Sequence, residues 1–306
     1  MSPWNDILLD VYFRIVLEAL AFSPPPLAYR AMAPTAHLFR DWESYGAWYE
    51  PGMFKNGLRN LKNARIFPKS RVRTALKDYL RFESRFVLEN IWLRKHKKQF
   101  VLHSFANKSM RRLAALLQNE PYVVVTAHTS ALYLLVSLID ILGHKSGFVC
   151  NNPMKQSWAG ANPVQRSAIK TIRAWTQTQP FFFVEEGKVM ERARACIRSG
   201  QSVIIPQDVL GYSERGVKAL LFGRQVWSPV GAARLAFDLG VPLLVVVAGA
   251  CHPADPYEVF IKRIHPTGRI VQDVQCVFDH IEAFIQMCPA CWGGWLYLDR
   301  MAVGSV

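Results

Sequence analysis

Two short stretches carry side chains that could do acid–base chemistry. The first is residues 121–139, PYVVVTAHTSALYLLVSLI. Its β-branched run Val123–Thr126 suits a buried strand, and the apolar run after Ser130 is long enough for a helix. His128 therefore stands where a strand hands over to a helix. It is either a reagent or a histidine that merely caps the helix. The second stretch, Ile204-Ile205-Pro206-Gln207-Asp208, places a carboxylate just past another buried strand. Arg215 and two glycines, Gly211 and Gly216, lie close behind it. A histidine can serve as a general base near neutral pH, and a carboxylate, an arginine and two glycines just past a strand could form a polar site.

Elements must bring these residues together. Strands are expected at Tyr122–Thr126, Gly147–Cys150, Phe181–Glu185, Ser202–Pro206, Pro242–Ala248 and Tyr257–Ile264. Helices are expected between them, near 106–118, 131–142, 162–176, 188–199, 229–239 and 277–287. This alternation predicts an α/β fold, with a mainly parallel central sheet and helices on both faces. Sites in such sheets lie at the carboxyl ends of strands, where His128 and Asp208 both fall. A glycine-arginine turn, Gly223-Arg224, leads through Ser228-Pro229 into the helix near 229–239, with Ser228 as its N-cap and Pro229 in its first turn. Residues 1–100 read as a helical N-terminal region, with helices near 7–22, 27–39 and 72–94 and no clear strand. Residues 101–306 read as the α/β domain.

Composition narrows the function. The 306 residues are 51% hydrophobic, enough for one sizeable core. The formal charge is +14. Between Lys55 and Lys98 the chain holds fourteen Lys or Arg residues and three acids. Such a stretch is a solvated face or attracts acidic partners: an acidic carrier protein or carrier domain, or an anionic membrane surface. Nucleic acid is not expected, because no binding motif or zinc module accompanies the charge. The six cysteines are scattered, which suits a reducing compartment. Cys288-x-x-Cys291 cannot close a four-ligand zinc site alone and reads as two ordinary thiols, so no metal is expected. The start lacks the basic region and cleavage site of a signal peptide. Residues 7–22, ILLDVYFRIVLEALAF, place Asp10, Arg14 and Glu18 on one helical face. The segment is shorter than a membrane span, so a cytoplasmic protein, peripheral on a membrane at most, is expected.

Taken in order, these pieces resemble a known family. They are the strand ending in His128, Asn162-Pro163, the strand ending in Pro206 with a carboxylate, and Phe222-Gly223-Arg224 followed by Ser228-Pro229-x-Gly231-x-Ala233-Arg234-Leu235-Ala236. A Val241-Pro242 strand and a closing Trp295-Leu296-x-x-Asp299-Arg300 complete the series. The chain resembles the bacterial lipid A biosynthesis acyltransferases, the lauroyl and myristoyl transferases of the glycerolipid acyltransferase superfamily.

The resemblance implies transfer of an acyl group from an acyl-carrier-protein or coenzyme A thioester to a hydroxyl or amine, with no cofactor beyond that donor. The family's motif is a histidine base followed, after four residues, by an acid that orients it. Here His128 matches and Tyr133 stands in place of the acid. Three readings are open: Tyr133 orients His128, Asp208 reaches the ring instead, or the chain binds acyl chains or a carrier protein without transferring anything. Hydrolysis or nucleophilic chemistry through Ser130 is a further option, although Ser130 also suits the cap of the helix beginning there. The resemblance places Arg173 near an acceptor's phosphate or headgroup. Arg215 and Arg224 are candidates for the phosphopantetheine or another anionic group. The departure at Tyr133 points toward specialised metabolism rather than lipid A synthesis.

Overall fold

The computed structural model describes residues 11, 15–32, 53–66, 68, 71–95, 97–117, 120–151, 180–209 and 216–304. Its helices are α1 (Leu17–Leu20), α2 (Pro25–Met32), α3 (Met53–Asn63), α4 (Val72–Lys95), α5 (Lys97–Ser104) and α6 (Asn107–Leu117). The α/β part runs β1 (Val123–Thr126), α7 (Leu132–Ile141), β2 (Ser146–Cys150), β3 (Phe181–Phe183), α8 (Val189–Arg198), β4 (Ser202–Pro206), β5 (Gly216–Leu221), β6 (Arg224–Pro229), α9 (Gly231–Leu239), β7 (Leu243–Gly249), β8 (Glu258–Ile264), α10 (Ile270–Met287) and α11 (Leu298–Met301).

Six strands form one sheet in the order β3-β2-β4-β1-β7-β8. All neighbours pair in parallel except the edge pair β7–β8. Every residue of β1, β4 and β7 is buried. This explains why those segments read as unbroken apolar runs rather than alternating ones. From β1 the chain crosses through α7 toward β2. Later it crosses the opposite way through α9 to β7. Right-handed crossovers in opposite directions put helices on opposite faces. The six strands expected from the sequence are the six strands of this sheet, with ends that coincide or shift by at most two residues.

A hairpin also forms where no strands were expected. β5 and β6 pair antiparallel as a separate two-stranded sheet. Their connection is Phe222-Gly223, both at positive φ, 51° and 71°. A two-residue turn with both central residues left-handed matches the strand twist, but phenylalanine is an unusual occupant and hides the signal. Ser228 is consequently a strand residue and does not cap a helix. α9 begins at Gly231 after Val230, with no side-chain cap. α10 also starts seven residues before the expected position 277.

In the N-terminal region, the described part of the helix expected over 7–22 is residue 11 and residues 15–22, helical through Leu20. α3 and α5 lie where no helix was expected, and residues 33–39 lie outside the described residues. α4 packs into the same core as the sheet through Tyr79, Phe82, Leu88, Ile91 and Trp92. Residues 88–93 of α4 are all buried, so its charges there require partners. Arg85 Nε donates to Glu89 Oε1 at 2.6 Å, and its Nη1 donates to the carbonyls of Pro253 and Asp255. The hydroxyls of Tyr29 and Tyr257 donate to Glu89. The guanidinium also lies 3.8 Å from the centroid of the Tyr257 ring. Burial pushes the Glu89 carboxyl up against the opposing pull of Arg85.

Candidate functional site: a histidine–aspartate pair at the sheet's carboxyl end

Parallel register builds the site. Each residue of β1 faces the β4 residue eighty positions later, ending with Thr126 opposite Pro206. Gln207 N–H continues the ladder to Thr126 C=O at 2.9 Å. Two residues beyond each strand end, His128 and Asp208 therefore arrive side by side. His128 Nδ1 donates to Asp208 Oδ1 at 2.8 Å, and the His128 backbone N–H donates to both carboxylate oxygens. Trp292 Nε1 donates to Asp208 Oδ2 at 2.7 Å. The Tyr297 hydroxyl donates to the Asp208 carbonyl at 3.3 Å. Asp208 is fully buried, while 41% of the His128 side chain is exposed. With Nδ1–H held by the carboxylate, the imidazole is fixed in the tautomer that directs its Nε2 lone pair outward. Nε2 has no hydrogen-bond partner among the described residues.

Desolvation pulls the His128 pKa down, but the Asp208 charge and its hydrogen bonds outweigh it, so the pKa is raised above the ordinary 6.5. The segment after α10 closes the back of the site. Gly293 N–H donates to His128 C=O at 2.9 Å, and Ser130 N–H donates to Cys291 C=O at 2.9 Å. A Cβ at Gly293 would meet the His128 carbonyl at 3.3 Å, so the backbone approach favours glycine. Thr129 Oγ1 donates to Ala248 C=O and pins the turn after β1 to β7.

The other expected site residues take different places. Tyr133 lies in the first turn of α7, its ring 5.3 Å from that of Phe86. Among the described residues no hydrogen bond joins it to His128; the Nδ1 partner is Asp208. Burial pushes the Tyr133 phenol pKa well up. Ser130 does not cap α7, whose N-cap is Ala131 with no side-chain cap bond. Its side chain is buried beside Tyr257, turned into the core. Arg224 Nη1 donates to Asp299 Oδ1 at 2.7 Å and to Asn60 Oδ1 at 3.1 Å, so it ties β6 to α3 and the C-terminal segment. Gln207, one residue before the carboxylate, donates to Ser228 Oγ and to Pro229 C=O. Arg173, Arg215 and Asn162-Pro163 lie outside the described residues.

Trp292 and Tyr297 were not singled out from sequence. Tyr297 lies within the closing segment that begins at Trp295, but nothing local marks Trp292 as a partner of a residue 84 positions earlier. Among the described residues no group of three His, Cys, Asp or Glu side chains could hold a metal ion. No protein-family model matches the chain, and no curated protein matches it.

Proposed function

We propose that the chain is an acyltransferase of glycerolipid-acyltransferase type, in which His128 is the general base and Asp208, rather than Tyr133, orients it. One observation carries the reading. A histidine at the carboxyl end of a central parallel strand is held at Nδ1 by a buried aspartate and presents Nε2 outward. Nε2 takes the proton of an acceptor hydroxyl or amine as that group attacks the thioester carbonyl. Asp208 keeps the Nδ1 proton and stabilises the imidazolium. When the C–S bond breaks, the imidazolium returns its proton to the departing thiolate. No Lewis acid is needed for either step, and the donor is the acyl-carrier-protein or coenzyme A thioester itself.

The test uses a thioester donor, a panel of hydroxyl and amine acceptors, and mass spectrometry of the products. His128→Ala and Asp208→Asn should each lower transfer by about 10²–10⁴-fold while leaving the fold intact. Transfer by His128→Ala at the wild-type rate would refute the base. A wild-type chain that transfers nothing, yet binds an acyl-carrier protein tightly, would make this a binding module. Release of free fatty acid without any acceptor product would make it a hydrolase.

A further inference from the structure

We propose that Cys251 and Cys288 form a reversible disulfide that fastens the segment behind the His128–Asp208 pair. The two Sγ atoms lie 2.9 Å apart although the thiols are free. Cys251 comes two residues after the end of β7 and is exposed. Cys288 directly succeeds α10 and is buried. The pairing differs from the one the C-x-x-C spacing suggests. Cys291 Sγ instead donates to Cys288 C=O at 2.9 Å and is buried, its thiol pushed up to about 12 by that burial. Burial likewise pushes the Cys288 thiol up, so it waits as the protonated partner while exposed Cys251 meets the oxidant.

With a peroxide as oxidant, the Cys251 sulfur attacks the O–O bond, giving a sulfenic acid and releasing water. The Cys288 sulfur then attacks the sulfenic sulfur and expels the oxygen as a second water. Two thiols and one peroxide thus give one disulfide and two waters. A dithiol reductant reverses the step by exchange through a mixed disulfide.

Three residues shortly after Cys288, at 291–293, reach the turn after β1 or Asp208. Cys291 C=O receives Ser130 N–H, Trp292 holds Asp208, and Gly293 N–H reaches His128 C=O. A bond between Cys251 and Cys288 anchors the start of this segment to the end of β7. Gly249 reinforces the closeness, since a Cβ there would collide with Cys291 Sγ.

The experiment treats the full chain with hydrogen peroxide, blocks remaining thiols with N-ethylmaleimide, digests without reduction and maps linked peptides by mass spectrometry. A Cys251–Cys288 linked peptide should appear and should vanish with dithiothreitol. It should be lost in Cys251→Ser, an exposed site where folding is not at stake, and retained in Cys291→Ser. Tm should rise by about 5 °C on oxidation. Backbone amides of residues 289–293 should exchange more slowly. A Cys288–Cys291 link, over-oxidised Cys251 without any link, or unchanged thiols would each overturn the pairing. Faster exchange at 289–293 in the linked form would overturn the fastening. Because linkage is read by mass, none of these outcomes depends on acyl transfer.

Discussion

At His128, one hydrogen bond decides both tautomer and charge. The Asp208 carboxylate raises the ring's pKa above 6.5 even though burial opposes it. A base must be unprotonated to work, so transfer should fall as pH drops through this raised pKa. The acid limb of the pH–rate profile should therefore lie above pH 6.5, and in Asp208→Asn the ring pKa, followed by NMR, should move down. The same shift acts on stability with the opposite sense. A raised histidine pKa adds stability below the unfolded value, and that stability is lost as pH rises through the folded value. Trp292 stands one step further out, fully buried with its indole N–H on Asp208 Oδ2. Trp292→Phe keeps an aromatic ring but deletes this donor. It should cost about 1.5–3 kcal/mol in denaturant unfolding, as expected for a hydrogen bond to a charged group, and should shift the His128 titration. An unmoved titration would show that Trp292 only fills space.

Among the elements, α4 is the one whose sequence and placement disagree most. Its arginines and lysines read as a solvated basic face, yet Arg85 is almost completely buried. Arg85 holds Glu89 and two carbonyls of the loop between β7 and β8, so it fastens the N-terminal helices to the sheet. Removing one member of a buried ion pair leaves the other uncompensated. Arg85→Ala should lower unfolding stability by about 3–5 kcal/mol, whereas Arg85→Met with Glu89→Leu should recover much of the loss. Equal destabilisation by the single and double variants would show that the charges are not coupled.

On the scale of the whole molecule, the basic stretch divides into two populations. Lys55, Lys62, Arg65, Arg71, Lys77 and Lys98 are exposed. Arg59 pairs with Asp299, Arg81 with Asp78, and Lys95 with Glu18. Ile15, Phe22 and Leu27 expose apolar surface on the N-terminal segment, and Lys95 Nζ lies 4.6 Å from the centroid of the Phe22 ring. No helix among the described residues is long and apolar enough to cross a membrane. The combination predicts attachment to an anionic surface by charge plus shallow apolar contact. Sedimentation with anionic vesicles should weaken steeply as salt rises, because exposed charges are screened within about 8 Å at physiological ionic strength. Lys55→Glu, Lys62→Glu and Lys77→Glu together should abolish it. Binding that ignores both salt and these reversals would exclude the electrostatic route.

The sequence by itself determined the six-stranded α/β core and the strand-end positions of His128 and Asp208. Buried parallel strands must be apolar throughout, and such runs of β-branched residues are legible locally. It also carried the helical character of 72–94, because a long periodic segment reveals itself without partners. What it left open was which group holds His128. The family resemblance offered Tyr133 or, as an alternative, Asp208; the phenol packs against Phe86 while the ring is met across the sheet by Asp208. That choice depends on β4 pairing with β1 in a particular register, a contact between residues eighty positions apart. The Phe222-Gly223 hairpin, the burial of Arg85, the Trp292 bond and the meeting of Cys251 with Cys288 belong to the same class. Each joins groups distant in the chain or needs an uncommon backbone conformation, so packing of the whole chain had to decide it.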